Sequence, residues 1–176
     1  MICIFFAPGF EEIEGIAVVD ILRRAGLEAT MVGVGSKTIT GSHDITVTCD
    51  IEAGELNLAD LEAVILPGGI PGTPNLEKSP AVKAAINHAV ENDLLLCAIC
   101  AAPSILGRMG LLAGKRFTCY PGVEKGFEGI YSSDRVVRDG NLITGKGAGA
   151  AVAFGIEIVS ALCGEDKAKA LEASLQ

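Results

Sequence analysis

The sequence predicts a doubly wound α/β fold, a mostly parallel sheet with helices on both faces, and three observations carry that prediction. Short apolar runs at residues 3–7, 29–34, 63–66 and 94–99 show little polar alternation, which suits strands covered on both faces. Between most of these runs lie segments with helical periodicity, and alternating strands and helices imply right-handed crossovers in a parallel sheet. The loops after the strands hold the chemically unusual residues, as expected where ligands bind beyond the carboxyl ends of such strands.

Composition narrows the function classes. At 176 residues the chain is expected to form one domain, 1–176, large enough to bury well over half of its unfolded surface. Its formal charge of -8, with Lys and Arg scattered among more numerous acids, argues against nucleic acid as a partner. No apolar segment reaches the roughly 18 residues of a membrane span. The amino terminus meets acids at once and carries no basic leader, so a cytoplasmic protein is expected. Six cysteines in that setting read mostly as buried thiols, not as a disulfide scaffold.

Taken in order, the strand at 3–7 is broken by Pro8 and Gly9 before Glu11, Glu12 and Glu14 open a helix that runs to Arg24 or Ala25 and stops at Gly26. Its apolar residues cover much of its circumference. Interaction with the helix dipole accounts for Glu11 and Glu12. Glu14, set among Ile13, Gly15 and Ile16, is expected to face inward, where desolvation would raise its pKa. After the strand at 29–34, residues 44–49 alternate like an edge or hairpin strand, preceded by His43 on a loop as a candidate substrate contact. The strand at 63–66 ends in Pro67, Gly68 and Gly69, a loop that lets a ligand approach the backbone but lacks the Lys and Ser/Thr of a phosphate-binding loop. A helix is expected over 80–91, with His88 on its solvated side, and a strand over 117–120. Gly122 to Ser133 reads as irregular, Asp139-Gly140 as a hairpin turn between 135–138 and 141–144, and 151–163 and the stretch from Glu165 as closing helices.

The organising stretch is LLLCAICAAP at 94–103, a buried strand running into a helix opened by Ala101, Ala102 and Pro103. Cys100 sits at the bend with Ala98 and Ala102 two residues to either side, the small neighbours that a nucleophile elbow requires. A thiol at a helix N-terminus is expected to have a lowered pKa. The alternatives are a buried structural thiol and a redox pair with Cys97, although Cys97 falls inside the strand rather than at the helix entrance. Zinc fits poorly: there is no second C-x-x-C, and the two histidines are isolated. No metal or cofactor is expected.

Five segments together resemble the DJ-1/PfpI superfamily over nearly the whole chain: APGFEEIE at 7–14, VDILRRAG at 19–26, LPGG at 66–69, AICAAP at 98–103 and GKGAG at 145–149. The resemblance implies a flavodoxin-like fold, Cys100 as the reactive cysteine and Glu14 as the acid hydrogen-bonded to its sulfur. It also implies backbone N–H groups of Gly68, Gly69 and Ala101 as an oxyanion site, and a homodimer. Gly147 and Ala148, with Tyr120 and His43, are candidate pocket residues. Ala101 stands where the peptidase-like branch carries His, which points to the DJ-1 branch. Tyr120 stands in a segment where several relatives carry His, so it could donate a hydrogen bond to substrate or only fill the pocket. The leading expectation is a cofactor-free enzyme acting on small α-oxoaldehydes or their protein adducts, as a glutathione-independent glyoxalase or deglycase. The alternatives are an oxidative-stress sensor working through a Cys100 sulfinate and, third, a peptidase.

Overall fold

A computed structural model describes residues 1–175. The chain opens with β1 (Ile2–Phe6), all five residues buried. Its pleat sends Ile2, Ile4 and Phe6 into one core layer and Cys3 and Phe5 into the other. There follow α1 (Glu12–Arg24), β2 (Ala29–Gly33), the antiparallel pair β3 (Thr38–Thr40) and β4 (Thr46–Thr48), and the short β5 (Ile51–Glu52). Next come β6 (Ala63–Leu66), α2 (Gly72–Lys78), α3 (Pro80–Glu91), β7 (Leu95–Ile99) and α4 (Pro103–Arg108). A small parallel pair, β8 (Arg116–Phe117) and β9 (Ile130–Tyr131), precedes β10 (Val136–Asp139), β11 (Leu142–Gly145), α5 (Ala151–Cys163) and α6 (Glu165–Ser174).

The main sheet has seven strands in the order β10-β11-β7-β6-β1-β2-β5, and only the β10/β11 hairpin is antiparallel. Read from β2 to β11, this is the flavodoxin-like order, and the direction of winding reverses between β1 and β6. Residues of α1, α5 and α6, among them Leu22, Phe154 and Ala168, close one face of the sheet. Leu76 of α2, Ile86 of α3 and Leu106 of α4 close the other. No helix among the described residues is long and apolar enough to cross a membrane.

Two local expectations are corrected, and one helix is added. The stretch 117–120 is strand only at Phe117, because the next backbone donors turn elsewhere: Thr118 N–H to Thr144 Oγ1 at 2.9 Å and Tyr120 N–H to the Cys100 carbonyl at 2.8 Å. The helix after Cys100 starts only at Pro103 and lasts six residues. A seven-residue helix, α2, also follows the glycine loop, too short for periodicity to announce.

Candidate active site

Cys100 lies one residue past β7 with φ of 63°, a left-handed backbone that a side chain makes costly. The surrounding chain enforces it. The Cys100 N–H donates to the Gly145 carbonyl at 2.9 Å, its own carbonyl accepts from Tyr120, and the Ala102 N–H donates to Ile99 at 3.0 Å. Ala98 and Ala102 are fully buried beside it. The bend is therefore the elbow that the small flanking residues foretold.

Glu14, in the first turn of α1, is 1% exposed. Its Oε2 accepts the Gly68 N–H at 2.8 Å. Its Oε1 is buried without a hydrogen-bond partner, and the carboxyl lies against the Cys100 side chain, close enough that each group shifts the other's pKa. Glycine at 68 makes this meeting possible, since a Cβ there would lie 2.6 Å from Glu14 Oε2 and 2.7 Å from Cys100 Cβ. The loop is tied down by Glu11 N–H to Gly68 O at 3.0 Å and Thr73 N–H to Gly69 O at 2.8 Å. The N–H groups of Gly69 and Ala101 donate to no oxygen among the described residues and act on the Cys100 thiol to lower its pKa. Gly68 thus departs from its expected place: its N–H is taken by Glu14, which leaves Gly69 and Ala101 as the donor pair.

The electrostatics also depart from expectation. Burial pushes Cys100 up, and the neighbouring Glu14 carboxyl pushes the same way, outweighing the two N–H groups. A six-residue helix beginning three positions later supplies little dipole to oppose this. Glu14 is raised by burial to about 7, although its contact with Cys100 and its bond to Gly68 pull it down. Near neutral pH the pair therefore holds between one and two protons, and removing a proton from sulfur means moving it to Glu14.

Glu12, assigned above to the dipole alone, is 4% exposed and clamps the β3/β4 hairpin. It accepts the His43 N–H at 2.6 Å, pairs with His43 Nδ1 at 2.9 Å and accepts from Ser42 Oγ at 3.2 Å. Burial opposes ionisation, but these bonds win and hold its pKa at about 2. Donor atoms of Glu11, Glu12 and His43 lie within 4.8 Å of one another, a set that could hold a cation; the hairpin clamp already accounts for it. His43 is corrected accordingly: it braces Glu12 and is not among the residues lining the cavity beside Cys100. That cavity, about 430 Å³, is lined by Tyr120, Gly147 and Ala148, together with Arg135 and Lys146, and Cys100 itself stands behind Gly147 and outside this lining. The two cations were missed as site residues, although Lys146 lies inside the GKGAG segment. A Cβ on Gly147 would stand 4.0 Å from the Cys100 sulfur and 3.5 Å from the Tyr120 ring, so this wall reaches the thiol. Tyr120 is 56% exposed. Cys97 is fully buried within β7 with its thiol pushed up by burial, a poor redox partner.

Comparison with known proteins gives the family: the family model described as DJ-1/PfpI family matches residues 1–161. The chain belongs to the DJ-1/PfpI family. It is 35% identical to Protein dj-1beta of Drosophila melanogaster over 168 residues, 93% of this chain and 90% of that one. It is 33% identical to the glutathione-independent glyoxalase DJR-1.2 of Caenorhabditis elegans over 164 residues, 92% of this chain and 87% of that one. The crystal structure of a cysteine-to-alanine mutant of a DJ-1 superfamily protein from Salmonella typhimurium superposes with a TM-score of 0.94 at 35% identity, covering 99% of this chain and 96% of that one.

Proposed function

We propose that this DJ-1/PfpI protein is a cofactor-free enzyme that converts small α-oxoaldehydes to hydroxy acids, with Cys100 as nucleophile and Glu14 as proton carrier. The observation that carries the reading is the strained Cys100 at the end of β7 with the buried Glu14 carboxyl packed against it across Gly68. As sulfur attacks the aldehyde carbon, its proton passes to ionised Glu14, and the new oxyanion takes the two N–H donors. The protein then moves the proton on the former aldehyde carbon to the neighbouring carbon through an enediol, with Glu14 giving and taking protons, which leaves an acyl thioester on Cys100. Water hydrolyses it, releasing lactate from methylglyoxal and restoring the thiol. A carboxyl with a pKa near 7 suits both halves of this traffic. The similarity to DJR-1.2 supports the same class of reaction.

Steady-state turnover of methylglyoxal without glutathione tests it. Cys100→Ser abolishes turnover while the fold persists, and Cys97→Ser leaves most of it; equal rates for wild type and Cys100→Ser refute the proposal. A second reading, Cys100 as a peroxide-responsive switch, is favoured by the same donors, because protonated Glu14 and two N–H groups suit the oxygens of a sulfinate. Intact mass after peroxide distinguishes it. The peptidase reading finds no support: within the described residues His43 pairs with Glu12 and His88 lies beside Asn92, so neither forms a Cys–His pair.

The chain also works as a homodimer in this proposal. α1 and α5 pack together, and Ile13 (57% exposed), Ile16 (38%) and Val152 (49%) remain uncovered on them. Sedimentation of the wild type gives a dimer, and Ile13→Glu with Ile16→Glu gives a monomer; a wild-type monomer at all concentrations removes this part.

A further inference from the structure

We propose that Lys146 and Arg135 make the cavity beside Cys100 selective for carbonyl substrates that carry an anionic group, a carboxylate or a phosphate. The inference deepens the reaction proposed above and rests on it for the carbonyl, while the charge preference is open to separate measurement at the thiol. The two residues are neighbours by register. β10 pairs with β11 through Val136 and Gly145, and the Lys146 N–H donates to the Arg135 carbonyl at 2.9 Å, so the next residue on each strand brings a cation to the same cavity rim. The rim lies beside the thiol because Gly145 also accepts the Cys100 N–H.

Neither cation has a carboxylate partner among the described residues. Lys146 Nζ donates to the Ser133 carbonyl at 2.9 Å and Arg135 to the Gly149 carbonyl, neutral acceptors that an anion would replace with a stronger, charge-assisted bond. By contrast Arg23, Arg24, Lys37, Arg108, Arg138 and Lys169 all pair with acids. In a chain of net charge -8, two uncompensated cations beside the nucleophile focus the field at that mouth. The lining holds no acid, and it meets the thiol only at Gly147, since Cys100, Gly69, Ala101 and the acids Glu11, Glu12 and Glu14 all lie outside it. A substrate would thus place its carbonyl between Cys100 and the Gly69 and Ala101 N–H groups and extend its anionic end over Gly147 to the cations.

The first measurement is independent of turnover: the rate of Cys100 alkylation by anionic iodoacetate divided by that for neutral iodoacetamide, read by intact mass. Relative to wild type, the ratio falls about tenfold in Lys146→Met with Arg135→Met. It is kept in Lys146→Arg and in Lys167→Met, a remote exposed cation whose loss changes only net charge. The second is kcat/KM for 4,5-dioxopentanoate and for 3-phosphooxy-2-oxopropanal, each divided by that for methylglyoxal. The ratio that collapses in the double variant identifies the anion. An alkylation ratio within twofold of wild type in the double variant overturns the inference whatever the turnover. Absence of turnover on all three aldehydes refutes the reaction instead, leaving the alkylation ratio to decide the charge preference.

Discussion

Glu14→Gln tests the buried acid through stability as well as through catalysis. Raising the carboxyl from 4.5 to about 7 makes its ionised form cost about 3 kcal/mol in the folded chain relative to the unfolded one. Below pH 4.5 the group is protonated in both states and exacts nothing. Between 4.5 and 7 the unfolded chain releases the proton while the folded chain keeps it, so stability falls as pH rises, and above 7 the penalty levels off. About 2.5 kcal/mol of that loss falls between pH 5 and pH 8.5. Glutamine keeps the shape and a carbonyl for the Gly68 N–H but cannot ionise. Urea unfolding followed by circular dichroism at both pH values, for wild type and variant, should show the variant gaining about 2 kcal/mol on wild type toward high pH. Equal pH dependence in the two proteins refutes the raised pKa and, with it, the account of how Cys100 loses its proton. In the same pair, methylglyoxal kcat/KM rises through about pH 7 in wild type, as Glu14 ionises to become a base. In Glu14→Gln it falls by roughly 10²-fold or more and that inflection disappears.

Two other substitutions probe the scaffold. Gly68→Ala places a methyl against both Glu14 Oε2 and Cys100 Cβ; it should cost about 1–3 kcal/mol of stability and at least tenfold in turnover, whereas normal activity would mean that the pair need not touch. Glu12→Gln removes the charge from the bonds to His43 and Ser42, so the His43 amide should exchange hydrogen faster while turnover drops far less than in Glu14→Gln. Unchanged exchange would mean that the hairpin is held by its strand pairing alone.

Much of this architecture is legible in the chain itself. Continuous apolar runs mark strands buried on both faces, and the flanking alanines around Cys100 allow a bend that larger side chains would block. These are local facts: strand burial and backbone sterics depend on residues close in sequence. The motif segments likewise suffice to indicate the family. What the chain could not show is where each hydrogen-bonding group ends its search for a partner. The Gly68 N–H, expected at an oxyanion, goes to Glu14, 54 residues away. Glu12, a dipole acid by position, is claimed by a hairpin 31 residues on. Lys146 and Arg135 become neighbours only through the register of β10 on β11, and the Cys100 thiol meets desolvation and a carboxyl where a local view shows only a helix end. Bonding partners and pKa values are set by whatever the fold brings within a few ångströms, and in a parallel sheet those contacts join residues from distant loops.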